Sequence, residues 1–410
     1  MRAKGYYLTL VAMSFKFLMD FFIPAREITF IAFNGMLLML VIVLRPSLHV
    51  SVRALGWTLV TLAFLILELC RQPENPISYK LLTLPVLAVL FYSAGRTMSS
   101  DLMARLFRLL LGFFLCCFVG NYLVSAALGH IESREFWNFE YANLLGSYVL
   151  IMLLPVNYVL SQRRRVPFAS GIRMLFVVVA YLTTSTGAMV LALAICFRWR
   201  RMSPGRLILL GLSVCAVAGA GLAALYAFSR PDYDKIVAPF VLIFGGRWTQ
   251  LVRSAQSAGG ITEFAGDQQG SFTWRIYADL VYGFYIAHQE AWDTLFGNGI
   301  GGFMDVWNGA MPHNDFVLLL IDFGVVFLVL VIFHLLRLIQ YVRRYLPGWL
   351  FVVMALVIRF AFENNIYSYY VISNAVIFAS LVIGASKRDA LHIPRRNGAR
   401  LPAHLARSGG

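Results

Sequence analysis

Apolar runs of about twenty residues, separated by short polar connectors, recur along almost the whole chain. Coiled as helices, runs of that length match the hydrocarbon thickness of a bilayer. Read in order, they predict spans near Tyr6–Ile23, Ile28–Leu44, Ala54–Cys70, Tyr79–Gly95, Phe107–Leu128 and Ala142–Leu160. A short pair, Ile172–Leu182 and Ala188–Phe197, and a longer run, Leu207–Phe228, come next. Phe316–Leu336, Trp349–Phe362 and Tyr369–Ala385 close the series. Alternating ten-residue segments are absent, and only helices or closed barrels satisfy their backbone in lipid. The expected fold is therefore all-α: a polytopic integral membrane protein of about twelve transmembrane helices.

Two interruptions break the pattern. The larger runs from Ser229 to Pro312 and carries most of the polar chemistry. It divides the chain into residues 1–228 (spans one to nine), 229–312 (a large loop containing helices), 313–386 (spans ten to twelve) and a basic tail, 387–410. The smaller is Thr183-Thr184-Ser185-Thr186-Gly187. The apolar stretch Ile172–Phe197 around it is too long for one straight span and too short for two. Two half-length helices meeting at a hydroxyl-rich turn are expected, with the turn facing a polar cavity, since irregular backbone at membrane depth must be buried in protein or line water.

Composition agrees with a membrane chain: 60% of the 410 residues are hydrophobic and 13% charged, against about 25% charged in soluble domains. The net charge of +15 sits in short connectors, so it argues for topology and against nucleic-acid binding. One side collects Arg2, Lys4, Arg45, Arg53, Arg96, Arg105, Arg108, the Arg163–Arg165 run, Arg337, Arg343, Arg344 and the tail. The other receives Arg26, Arg71, Lys80 and Arg134. That bias puts both termini in the cytoplasm and the 229–312 loop outside. The first run carries Lys16 and Asp20 and lacks a cleavage site, so it reads as a retained span. The five cysteines lie inside apolar runs without CxxC spacing, and neither a disulfide nor a metal site is expected.

Candidate chemistry concentrates near the end of the loop. In Pro312-His313-Asn314-Asp315, Asn314 or Asp315 can cap the following helix. His313 then feels the positive end of the helix dipole, which favours neutral imidazole, a form able to accept a hydroxyl proton. Phe272–Phe296 reads as an amphipathic helix with Trp274, Ala278, Val281 and Tyr285 on one face and Arg275–Asp279 as an i,i+4 pair. It stops at Gly297-Asn298-Gly299-Ile300-Gly301-Gly302, a loop that either approaches phosphate through its amides or simply ends the helix. Arg230, Lys235, Arg247, Arg253 and Arg275 supply outward cations. Within spans, Lys16–Asp20 and Arg359–Glu363 have i,i+4 spacing and can neutralise each other.

In order and spacing, Arg275-Ile276-Tyr277-Ala278, Leu295 through Phe303, His313-Asn314-Asp315-Phe316 and Asp322-Phe323-Gly324 resemble the O-antigen ligase/polymerase superfamily of bacterial membrane glycosyltransferases. The specific match covers roughly Arg275 to Leu336, and the layout, GT-C-like with one large periplasmic loop, is similar more loosely. The resemblance implies an inner-membrane enzyme that takes a glycan from undecaprenyl diphosphate at the periplasmic face. It implies His313 as the base for an acceptor hydroxyl and Arg275 as a cation at the donor diphosphate. Asn314, Gly299, Gly301 and Ser185 would support the site. Where the family has a Ser-Arg-Gly motif, this chain has Ser185-Thr186-Gly187. Thr186 in place of arginine leaves diphosphate charge to Arg359, Arg247 or Arg253.

On that resemblance no cofactor or metal is expected, because a lipid diphosphate leaves and arginines can carry its charge. The transfer is expected to invert, since no carboxylate pair suggests a covalent intermediate. The partners implied are the lipid-linked donor, the bilayer, and either an acceptor glycan (a polymerase of O-antigen or exopolysaccharide) or the lipid A core (a ligase). A chain-length regulator is a further candidate partner. A lipid-linked sugar flippase is the alternative from another class; it would need charges spread along a path through the membrane.

Overall fold

The computed structural model describes residues 2–50, 52–72, 75–130, 139, 142–161, 169–183, 185–196, 248–257, 272–306 and 311–392, with scattered single positions between 205 and 245. Every regular element among them is helical. In chain order these are α1 (Arg2–Phe22), α2 (Arg26–Leu44), α3 (Val52–Arg71), α4 (Pro76–Thr97), α5 (Ser100–Ala127) and α6 (Ala142–Ser161). Then come α7 (Ala169–Leu182), α8 (Thr186–Cys196), α9 (Trp248–Ser257), α10 (Phe272–His288), α11 (Ala291–Phe296) and α12 (Phe303–Val306). The last three are α13 (Asp315–Tyr345), α14 (Leu350–Phe360) and α15 (Tyr369–His392). The span expected at Leu207–Phe228 falls for the most part outside the described residues, as does Arg247.

Six of these helices are long and apolar enough to cross a membrane: α2, α4, α5, α6, α13 and the Tyr369–Ser386 part of α15. The chain is thus a helical protein with the makings of a multi-pass membrane protein. Two more, α1 and α3, have 21 and 20 residues. The charges inside α1 are self-neutralised as expected: Lys16 Nζ lies 2.6 Å from Asp20 Oδ2, and Tyr148 Oη donates to the same oxygen at 2.9 Å. All three residues are buried.

At the centre stands α6, buried along nearly every residue from Leu145 to Val159. It packs against α5, α7, α8, α14 and α15. The closest helix pair is α4 with α15, where Gly95 faces the Leu381 carbonyl and Gly384 the Tyr92 carbonyl. A Cβ on either glycine would overlap backbone, so the two helices approach more closely than larger residues permit, a membrane-type contact.

The hydroxyl-rich break joins two half-length helices, as its length requires: α7 has 14 residues and α8 has 11. Its surroundings differ from expectation. Thr183 and Ser185 are buried, packed beside Gly146 of α6, and Ser185 Oγ donates to Asn143 Oδ1 at 3.0 Å. Thr183 and Ser185 are enclosed by protein instead of facing a polar cavity, with side chains of α6 and α14 beside Ser185, while Gly187 is exposed.

Where a single helix was expected over Phe272–Phe296, the chain breaks at Gln289-Glu290 into α10 and α11. The buried face of α10 is Tyr277, Ala278, Val281 and Tyr282, with Trp274 and Tyr285 only partly covered. It packs on α9 and on α13. The tail expected to begin after Ser386 continues α15 as helix to His392.

Candidate functional site

The first turn of α13 organises the polar groups. Asn314 is its N-cap, accepting from the Phe316 and Val317 amides at 3.0 and 3.4 Å. Asp315, buried at the first helical position, turns instead to the loop after α14. It accepts from the Asn365 amide at 2.9 Å and the Ile366 amide at 3.0 Å. The two residues that could both have capped α13 thus divide the work, and Asp315 pins residues 363–366 beside His313.

Gly324, nine residues beyond Asp315 along α13, has φ 73° and ψ 178°, and the helix kinks there. The kink frees two carbonyls: Ile321 O accepts from the Asn298 amide at 2.8 Å and Asp322 O from the Gly299 amide at 3.0 Å. The buried Asp322 carboxylate takes the Gly301 and Phe303 amides at 3.0 and 3.3 Å. The glycine-rich loop is therefore inserted into the break in the α13 ladder, which is how such kinks are stabilised. From the other side Arg71 donates to the Gly297 carbonyl at 2.8 Å and Asn75 to the Ile300 carbonyl at 2.7 Å. Gly299 and Gly301 support the site by docking the loop, and their amides are already bonded to protein.

Around this frame lies a chain of charges. Arg359 of α14 is buried and every guanidinium nitrogen has a partner. Its Nε donates to Ser147 Oγ at 2.9 Å, and Nη2 donates to the Asn143 carbonyl at 2.6 Å and Ser185 Oγ at 3.2 Å. Nη1 lies 3.5 Å from Glu363 Oε1, and also faces Gly187, where a Cβ would come within 2.9 Å. The arginine-lacking Ser185-Thr186-Gly187 stretch thus receives a guanidinium from α14, although the Thr186 side chain lies outside the described residues.

Glu363 Oε1 also accepts from Arg275 Nη2 at 2.7 Å. The expected Arg275–Asp279 pair is replaced: the buried Glu363, 88 positions away, takes the guanidinium, and Asp279 Oδ2 accepts from Asn314 Nδ2 at 3.3 Å. A buried carboxylate offers a guanidinium a stronger field than an i,i+4 neighbour on a wetter helix face. Arg253, on α9, is exposed.

His313 completes the cluster. Burial, helped by the Arg275 charge, lowers its pKa to about 4, so it is neutral near pH 7. Its Nδ1 is buried without a partner among the described residues. The same is true of Arg275 Nε, Asp279 Oδ1, Asn364 Oδ1, Asn365 Oδ1 and Tyr367 Oη. Buried polar atoms are seldom left unpaired, and three of these side chains, Arg275, Asp279 and Asn365, interact with His313, Asn314 and Asp315 respectively, which marks the start of α13 as a place built for polar contacts. Further along the same helix, a cavity of about 480 Å³ is lined by Leu319, Phe323, Phe327 and His334 of α13, and His313 and Arg275 are not among its walls. Its other walls are α3, α4, α15 and Ile366, and almost all of its lining is apolar. Leu319 is one turn below Asp315, so the apolar cavity begins where the polar cluster ends.

Among the residues singled out in the sequence, the structure links His313, Arg275, Arg359, Asn314 and Ser185, while the glycine loop docks further along α13 and Arg230 and Lys235 lie outside the described residues. Arg253 does not join them, and Arg247 lies outside the described residues. Sequence reasoning missed Glu363 as the bridge between two arginines, Asp279 as the partner of Asn314, and Asp322 as the anchor of the glycine loop. Asp322 carried a usable signal: an acidic residue inside an apolar run demands a local reason.

The fold and this cluster define a helical membrane protein with a charged, partly unsatisfied site at the mouth of a kinked span. No known family model matches the chain, and no curated protein matches it in sequence.

Proposed function

We propose that the protein is a glycosyltransferase of the bacterial inner membrane, of about twelve spans with both termini in the cytoplasm. It transfers or polymerises glycan carried on undecaprenyl diphosphate at the periplasmic face, building O-antigen or exopolysaccharide. The observation that carries this reading is His313: a neutral imidazole in the field of the Arg275 guanidinium, its buried Nδ1 without a partner among the described residues, at the N-terminal end of a helix whose later turns line an apolar cavity.

The isoprenoid chain lies in the apolar cavity, and its diphosphate meets Arg275 at the polar end. His313 takes the proton of the acceptor hydroxyl while that oxygen bonds to the anomeric carbon. The bond from that carbon to the diphosphate oxygen breaks, configuration inverts, and the lipid diphosphate leaves with the electron pair. Arg359 keeps the Glu363–Arg275 pair in place and supplies compensating charge from below. The acceptor, a second lipid-linked glycan or the lipid A core, decides between polymerase and ligase.

The test is His313→Ala in the native host at matched protein levels. Loss of polymeric glycan is expected, and unchanged glycan assembly would overturn the reading. In a deletion strain, single repeat units still joined to lipid A indicate a polymerase, and unattached long chains a ligase.

A further inference from the structure

The polar cluster has two electrically different ends. Arg275 and Asp279 are one helical turn apart on α10, about 6 Å along its axis. The first turns to Glu363 and touches the electrostatics of His313; the second is held by Asn314, the residue after His313. Among the described residues, the same two side chains keep one buried atom each without a partner: Nε, a donor, on Arg275 and Oδ1, an acceptor, on Asp279. One helix thus carries a donor whose charge acts on His313 and an acceptor on a side chain bonded to the next residue, Asn314.

We propose that Asp279 is an acceptor-binding residue: its unpartnered Oδ1 receives a hydrogen bond from a hydroxyl of the incoming sugar, while the Arg275 end is kept for the anionic head of the donor. The assignment rests on the glycosyltransferase reading. A carboxylate repels a diphosphate and attracts a polyol, whose hydroxyls are neutral donors, and hydroxyl-to-carboxylate bonds are among the stronger hydrogen bonds. Asn314 spans the two roles, capping α13 with its oxygen and fixing Asp279 with its amide. This couples the acceptor's position to the ring of His313.

Burial pushes the Asp279 carboxyl up to about 6, so the acceptor end switches within an accessible pH range. The other charged groups toward this end of α10 are Arg253, Arg275, His313, Asp315, Asp322 and Glu363; α10 also carries Tyr277, Tyr282 and Tyr285, with His288 nine positions beyond Asp279, and His334 lies far along α13. Arg275 and Glu363 are paired, Asp315 and Asp322 accept backbone amides, Arg253 is exposed, and His313 is neutral above about pH 4.

Two soluble probes separate the ends in full-length protein held in nanodiscs. One is the lipid-free repeat-unit oligosaccharide released from the host polysaccharide; the other is inorganic pyrophosphate. Asp279→Asn, which keeps the shape and an oxygen for Asn314, is expected to weaken oligosaccharide binding by about tenfold to a hundredfold, the worth of a hydrogen bond to a charged group. Pyrophosphate binding is expected to hold or tighten, and Arg275→Gln to show the reverse pattern. In the unsubstituted protein, oligosaccharide affinity should fall as pH drops through about 6, and Asp279→Asn should abolish that dependence. Equal weakening of both probes, or of neither, overturns the proposal. If Asp279→Asn does not accumulate, the unsubstituted protein decides, and an affinity flat from about pH 5 to 7.5 overturns it. A failure here with His313→Ala still inactive leaves the transferase reading standing; an active His313→Ala removes that reading itself.

Discussion

Replacing Glu363 by Gln removes one negative charge from between two guanidinium groups without changing the shape of the side chain. Its Oε1 lies 2.7 Å from Arg275 Nη2 and 3.5 Å from Arg359 Nη1. At an effective dielectric constant of about 20 these contacts carry roughly 6 and 5 kcal/mol of attraction. Most of that is offset by the cost of taking three charges out of water. What remains when one partner of such a buried pair is removed is about 3–5 kcal/mol, because the arginines are left uncompensated. Gln still accepts one hydrogen bond, which places Glu363→Gln near the lower figure.

The assay is the midpoint of heat-induced aggregation of purified protein in a mild detergent. A loss of about 3 kcal/mol corresponds to a fall of roughly 3–4 °C for a chain of 410 residues. A double-mutant cycle sharpens it. Arg275→Gln alone leaves Glu363 with Arg359, whereas in the Glu363→Gln background it relieves a repulsion, so the two losses should add to less than their sum. A midpoint unchanged within about 1 °C for Glu363→Gln, or strict additivity in the cycle, would refute the view that this carboxylate holds two arginines together.

Two further outcomes follow from the same geometry. Gly324→Ala puts a side chain at φ 73°, ψ 178° and directs its Cβ into the Leu295 carbonyl; a loss of about 2–4 kcal/mol is expected in the same aggregation assay, and a neutral variant would mean the loop does not sit in the kink. The pH dependence of stability should split by residue. The depressed His313 contributes stability present above pH 6.5 and lost as pH falls through about 4, whereas the raised Asp279 contributes stability present below pH 3.8 and lost as pH rises through about 6. Relative to the unsubstituted protein, His313→Ala should therefore tilt the pH profile of the midpoint downward between those limits, and Asp279→Asn should tilt it upward; parallel profiles would contradict the assignments.

The helices were legible because apolar run length is a local property, and described helices overlap eleven of the expected spans with shifts of a few residues at their ends. The i,i+4 pairs Lys16–Asp20 and Arg359–Glu363 were legible for the same reason. The pairing of Arg275 was not, because the sequence offered a local partner, Asp279, and the fold supplied a distant buried one. The hydroxyl-rich turn shows the same limit: its irregular backbone could be read from Thr183 to Gly187, but whether water or protein would satisfy it depended on Arg359, more than 170 positions away. The role of the glycine loop was open between cradle and support. Only the position of Asp322 on a kinked helix decides how its amides are used.

That last point bears on where negative charge can be received. A run with glycines at 297, 299, 301 and 302 invites the idea of a backbone nest for phosphate. Here the amides of Asn298, Gly299, Gly301 and Phe303 already bond to Ile321, to the Asp322 carbonyl or to the Asp322 carboxylate. A diphosphate competing for them would have to displace a buried carboxylate and leave it unpaired, which costs more than the new bonds return. Arg359 is no better placed, since each of its nitrogens is engaged below the site. Arg275 differs from both: one edge is tied to Glu363 and its Nε is unpartnered. If an anion binds at this cluster, it meets Arg275, and the loop and Arg359 act by holding the frame in which that guanidinium faces His313.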